Sequence, residues 1–227
     1  MYCTSMQFRL LNESELVSLE RRGRIKFPKP YRDFMKTYGV GTYGGAICIS
    51  APDFDILKDS EECGFWQYEG APITREQFSE CVVIGNSIDG DYIALHALID
   101  AYILLPRGSD IIQLFPYDEA FICTINRIGN FLYEDSLEDY FEPVGSSYLF
   151  LRAACGTPRI LAERFQAAFG SDYLIENEYA CEVFLIRMGG YVRFNLAYGF
   201  EVAVFYSDYG VECFERVKEF LHENGCV

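Results

Sequence analysis

The sequence predicts an α+β protein, with a mostly antiparallel sheet flanked by helices and then a second small α+β unit of α-β-β-β-α order. Three observations carry this. Four short apolar runs between Cys81 and Phe115 are joined by connections such as Gly85–Asp91 and Pro106–Asp110, too short for the crossover helices that a parallel sheet needs. Apolar residues recur at helical spacing on both sides of that group. Finally, Pro143-Val144-Gly145-Ser146-Ser147 interrupts the pattern, and the succession of elements then restarts. The expected domains are therefore 1–143 and 144–227.

Taken in order, Asn12-Glu13-Ser14-Glu15 sets a capping residue before Leu16, Val17 and Leu19, which predicts a helix from about 13 to 22 stopped by Gly23. Pro30 suits the first turn of a second helix whose face carries Tyr31, Phe34, Met35 and Tyr38, with Gly39 ending it. Ala46 to Ser50 reads as a strand. Residues 53–80 are acidic and irregular, with Phe65 and Trp66 as anchors. The four runs 81–84, 92–96, 101–105 and 111–115 follow as strands. Glu119 to Tyr133 reads as a helix with Phe121, Ile122, Ile125, Ile128 and Leu132 inward. Beyond the boundary come a helix at 159–169, strands near 181–188, 191–196 and 201–205, and a closing helix at 211–223.

Composition bounds the classes. The 227 residues are half apolar and include 17 Tyr and 19 Phe, ample for a core and incompatible with wholesale disorder. Met1 to Glu20 has neither a basic start nor an apolar run of useful length, so no secretory signal is expected. The longest apolar stretch, Ala94 to Leu105, is broken by His96 and Asp100 and is too short to span a bilayer. The expectation is a cytoplasmic protein that contacts no membrane. Nine cysteines stand singly and several sit inside apolar runs, the pattern of small hydrophobes in a reducing compartment. With two histidines far apart, no metal and no cofactor are expected.

Charge is the least even property of the chain. The net charge is −15, but residues 1–36 carry eight Lys/Arg against four Asp/Glu. Residues 37–145 carry four against 19, and residues 146–227 seven against 11. Such an asymmetric field attracts cationic partners and repels nucleic acid and anionic membrane. An acidic balance also serves solubility alone.

The usual catalytic constellations are missing from the sequence: no GxSxG elbow, no HExxH and no Walker-type loop. Gly39-Val40-Gly41-Thr42-Tyr43-Gly44 fits GxGxxG, but it follows a helix and leads into a strand, the reverse of a dinucleotide fingerprint. It reads as a flexible turn. Asp89-Gly90-Asp91 reads as a hairpin turn rather than a cation site. His96 lies on a strand beside Leu95 and reads as a hydrogen-bonded, partly buried side chain; His222 complements the dipole of the last helix. No enzyme is expected, and a hydrolase using His96 with a carboxylate or Cys81 is the least favoured class.

Residues 10–135 resemble the SUKH superfamily, which includes the yeast Smi/Knr cell-wall regulator and many bacterial immunity proteins. The resemblance rests on Phe27-Pro28-Lys29-Pro30-Tyr31-Arg32-Asp33-Phe34 with Tyr38-Gly39 after it, on Ile84-Gly85 and Gly90-Asp91-Tyr92-Ile93, and on Phe131-Leu132. Pro28, Tyr31, Phe34, Gly39, Gly85, Gly90, Asp91, Phe131 and Leu132 are then structural positions. The order and separation of these pieces carry the likeness, since each alone is common. The stretch 53–80 is longer than a minimal member needs, and the segment after 145 has no counterpart.

The resemblance implies stoichiometric binding of a toxin domain, often a nuclease, without catalysis. A nuclease must be basic where it holds phosphate, so an acidic surface can cover it. The candidate partner-binding residues are Asp53, Asp55, Asp59, Glu61, Glu62, Trp66, Glu69, Glu76 and Glu80, where aromatic anchors are ringed by charge. Glu134, Asp135, Glu138 and Asp139 form a second acidic candidate. The expected partner is a basic toxin domain. The alternative function is regulatory scaffolding on an endogenous partner.

Overall fold

A computed structural model describes residues 1–58, 71–109, 111–153, 158–197 and 199–227. The chain forms two compact units: Phe8–Phe141, and Met1–Gln7 together with Glu142–Val227.

In the first unit, α1 (Glu13–Gly23) starts at a capping box: Asn12 accepts from the Glu15 N–H at 3.0 Å while the Glu15 carboxylate accepts from the Asn12 N–H at 2.7 Å. Its left-handed C-cap is Arg24, at φ 49°. Gly23 serves packing instead, because a Cβ there would lie 2.1 Å from the Phe54 ring. Helix α2 (Lys29–Thr37) follows, with Pro30 in its first turn and Tyr31, Phe34 and Met35 buried.

Strands β2 (Gly41–Tyr43), β3 (Ile47–Asp53), β4 (Val82–Ser87), β5 (Tyr92–His96), β6 (Ile99–Leu105) and β7 (Gln113–Pro116) form an antiparallel meander. Strand β1 (Tyr2–Cys3) belongs to the second unit, and the boundary between the units falls inside β8 (Tyr140–Pro143), after Phe141. The segment from Gly41 to Tyr43 is thus a strand paired with β3, not a flexible turn.

Both faces of the meander are covered. On one, Phe121 of α4 (Phe121–Tyr133) packs edge-on to Tyr31 at 5.3 Å and Phe34 at 5.2 Å, and against Tyr102 of β6 at 5.3 Å. On the other, Leu57, Ile73 and Phe78 pack on Val83, Ala94, Ile103 and Leu105, with Phe78 supplied by α3 (Arg75–Glu80). A strand buried on both sides has no polar alternation, which is why Ala101 to Leu105 is continuously apolar.

The second unit is a five-stranded antiparallel sheet in the order β10-β11-β12-β13-β9. Its strands are β9 (Ser147–Arg152), β10 (Tyr173–Glu176), β11 (Ala180–Leu185), β12 (Gly190–Asn195) and β13 (Glu201–Tyr206). Helices α5 (Pro158–Phe169) and α6 (Val211–Glu223) share one core with Leu151, Val183, Val192, Phe194 and Val204. The α-β-β-β-α expectation is present as α5, β11, β12, β13 and α6, and β9 and β10 extend it. At six and four residues, both are too short to carry a periodic signal in the sequence. Met1–Gln7 is tied to this unit, with Tyr2 stacked on Tyr173 at 5.2 Å and Ser207 Oγ donating to Ser5 Oγ at 2.9 Å.

Candidate functional site

The acidic candidates divide by role. Asp53, at the end of β3, accepts from the backbone N–H of Asp55 at 2.8 Å and of Ile56 at 3.0 Å, so it builds the turn there. Asp55 lies between two cations, 2.7 Å from Arg22 and 3.3 Å from Lys58. Glu76 sits exposed in the first turn of α3, where it complements the helix dipole. Glu80 is exposed and meets His96 at 3.2 Å. Asp59, Glu61, Glu62, Trp66 and Glu69 lie outside the described residues.

His96 is held from both ends. Its Nδ1 accepts the Leu98 N–H at 3.1 Å, which leaves the proton on Nε2 for Glu80. The ring is buried and hydrogen-bonded, as its place on a strand suggests. Burial pushes the Cys81 thiol up to about 12, helped by the nearby Glu80 charge, so the nucleophilic thiolate is scarce at neutral pH. His222 turns its Nδ1 to the Cys226 carbonyl at 2.8 Å. A cleft of about 450 Å³ beside His96 is lined by Arg22, Arg24, Phe54, Lys58 and Glu80. The sequence hides it, because those residues are drawn from segments up to 74 positions apart, Arg22 to His96.

The family positions have clear physical work. Tyr31 is fully buried, and its hydroxyl reaches the Ser50 carbonyl at 3.5 Å. Phe34 packs edge-on to Phe121 and Phe141. Pro28 precedes α2 as its N-cap. Gly39 has φ +71°, and a Cβ there would lie 2.0 Å from the Arg9 carbonyl. Gly85 sits where β4 crosses β3 so closely that a Cβ would be 2.5 Å from the Cys48 carbonyl. Gly90 takes φ +94° in the hairpin turn. Asp91 is buried, and its carboxylate accepts from the Ser87 hydroxyl at 2.5 Å and the Arg107 N–H at 2.8 Å. One side chain thereby joins the β4–β5 turn to the β6–β7 connection. Leu132 is partly buried, whereas Phe131 is half exposed against Phe115 at 6.0 Å.

That exposure belongs to a patch the sequence did not single out. Ile111 is exposed and apolar like Phe131, and the two line a depression of about 570 Å³ together with Asp89 and Arg107. Glu134 caps α4 immediately after it in the left-handed region, followed by Asp135. Farther on, Asp139 accepts from the Tyr43 hydroxyl at 3.1 Å. Only Phe131 and the acidic run behind it carry a sequence signal; Ile111 reads as an ordinary strand residue.

A second acid is deeply engaged. The Glu20 carboxylate accepts from Arg32 at 2.6 Å, from Lys26 at 3.1 Å and from the Phe27 N–H at 3.0 Å, and Arg32 also meets Glu13. Burial alone raises its pKa, but these three donors outweigh burial and hold the carboxyl below the ordinary glutamate range. The basic first 36 residues are thus largely spent on internal pairing that locks α1 to α2.

The family model of the SMI1 / KNR4 family (SUKH-1) matches residues 10–142. The chain belongs to that family. No curated protein and no solved structure matches it. The matched span covers the first unit's meander and helices. SUKH proteins bind partners in toxin immunity or in Smi/Knr-type roles, and among the described residues no helix is long and apolar enough to cross a membrane.

Proposed function

We propose that this SUKH protein is an immunity protein that binds a basic toxin domain, of nuclease type, through an acidic surface and blocks it stoichiometrically without catalysis. The observation that carries the reading is the family match over a unit with twelve Lys/Arg against 22 Asp/Glu. Eight of those twelve cations lie in residues 1–36, where Glu13, Glu20 and Asp33 absorb several of them. The outward field of the remainder is therefore strongly negative, suited to steering a cationic partner. The apolar patch around Phe131 and Ile111, with Asp89, Glu134 and Asp135 near it, supplies the kind of anchor surface such a complex needs. Asp53 and Asp55 are less suited to contact a partner directly, since both are engaged locally, and this shifts the weight to Asp59, Glu61, Glu62 and Glu69.

The test is a tagged pull-down from the native host, washed at low and then high salt, with wild type and a bait carrying Asp59→Lys, Glu61→Lys, Glu62→Lys and Glu69→Lys. A basic toxin fragment retained one-to-one, and lost more readily by the charge-reversed bait, supports the reading. A housekeeping partner favours regulatory scaffolding of the Smi/Knr type. No retained partner, or equal retention by both baits, overturns the acidic-surface mechanism.

A further inference from the structure

We propose that the cleft between the end of α1 and the start of β4 binds a small organic anion, whose phosphate or carboxylate group is held by Arg22, Arg24 and Lys58. In a chain of net charge −15 this cleft is an exception, because it gathers three cations against two carboxylates, Asp55 and Glu80. Neither carboxylate uses up the cations. Asp55 takes one nitrogen of Arg22 at 2.7 Å and the Lys58 ammonium at 3.3 Å, so most N–H donors of both stay available. Glu80 is turned to His96 Nε2 at 3.2 Å. Among the described residues, no carboxylate pairs with Arg24.

The backbone gives a second, independent sign. Arg24 is the C-cap of α1 at φ 49° and ψ 33°, in the left-handed region that favours glycine. The chain has a glycine one residue earlier, but it is needed there, because a Cβ at Gly23 would lie 2.1 Å from the Phe54 ring. Strain is thus accepted at a residue that lines the cleft, and strained residues concentrate at binding sites. The dipole of α1 accounts for cations in its last turn, Arg21 and Arg22. It does not call for Lys58, which comes from the segment after β3.

The walls set the class of ligand. Ile25, Phe54 and Val82, all buried, give the cleft an apolar side. Arg22 lies over the Phe54 ring at 4.9 Å, which holds its planar fork in one orientation. A volume of about 450 Å³ is that of a small-molecule pocket. The occupant is therefore a compact apolar body bearing an oxyanion, since a guanidinium pairs with phosphate and carboxylate oxygens alike. All three cations are exposed, so a minimal ligand binds weakly, with Kd on the order of 1 mM.

The experiment is a proton–nitrogen correlation NMR titration of the full chain with phenyl phosphate and with benzoate at constant ionic strength. It compares wild type, Arg24→Gly, Lys58→Ala and the control Arg164→Ala, an exposed cation on α5. Saturable shifts centred on Gly23, Ile25 and His96 are expected, with Kd raised at least about tenfold by either cleft variant and unchanged by the control. Arg24→Gly is decisive, because glycine fits the left-handed cap. Its melting temperature should stay level or rise while binding falls, opposite signs that a purely structural arginine does not give. The tighter of the two probes tells whether the cleft is suited to a phosphate or to a carboxylate. No saturable shift with either probe up to about 20 mM overturns the proposal. So does binding that both cleft variants leave intact, or that the control weakens equally. No toxin is present in the titration, so its outcome is separate from that of the immunity reading.

Discussion

Replacing Glu20 with Gln should destabilise the first unit by about 2–3 kcal/mol at neutral pH. The glutamate side chain is 3 % exposed, and Gln offers one acceptor oxygen where the carboxylate has two, so its amide nitrogen must face Arg32 and Phe27 or else Lys26. Breaking a buried pair costs about 3–5 kcal/mol. The Arg32 side chain is 19 % exposed and keeps Glu13, while Lys26 is exposed and loses little, and both facts pull the cost to the lower end. Because the Glu20 carboxyl titrates below its unfolded value, its stabilisation is complete above that unfolded value and is lost as pH falls through the folded one. The difference between wild type and Glu20→Gln should therefore be full at pH 7 and shrink below about pH 4. Urea unfolding followed by far-ultraviolet circular dichroism reads the loss, with an expected midpoint shift of about 1 M. A shift under about 0.3 M at pH 7, or one that does not change on acidification, would refute the reasoning.

Asp91→Ala should cost about 3 kcal/mol, because it leaves the buried Ser87 hydroxyl and the Arg107 N–H without their acceptor. Asp89→Ala, exposed in the same turn, should cost under about 1 kcal/mol, and thermal unfolding compares the two. Gly85→Ala drives a methyl group into the Cys48 carbonyl and should cost at least about 2 kcal/mol or prevent soluble expression, while Gly108→Ala, with open space around it, should be neutral. Burial raises the Glu142 carboxyl, with Glu182 adding to the effect, so its ionisation weakens the second unit as pH rises through the folded value. Glu142→Gln still accepts from the Tyr191 hydroxyl and should raise the melting temperature at pH 8 but not at pH 4.

Elements with a local chemical signature were legible. Asn12 and Glu15 announce α1, the Tyr31–Phe34–Tyr38 spacing gives α2, and Asp89-Gly90 places a hairpin. The role of Asp91 was legible in part, since a turn explains its backbone neighbours but nothing in the sequence points to Arg107, sixteen residues away. Strands β1, β2, β8, β9 and β10 are not legible because two to six residues give too little periodicity, and the Gly39–Gly44 glycines make β2 read as a turn. The apolar patch is illegible for another reason: Ile111 and Phe131 come from separate segments, and exposure is a property of packing. Asp55 and Glu80 read as free acids because their partners Arg22 and His96 are brought to them by the fold, while Asp53 is taken up by the N–H groups of its own turn.

The seven residues that begin the chain pack with its last third, so the whole SUKH unit is an insertion within the sequence of the other. During synthesis this reverses the usual order of completion. Residues 8–141 can fold as soon as they emerge, yet Tyr2 and Ser5 must wait for Tyr173 and Ser207 before they find their places. An expression fragment starting at residue 144 would lack that first segment, and a bulky amino-terminal tag would burden the carboxy-terminal unit rather than the one next to it.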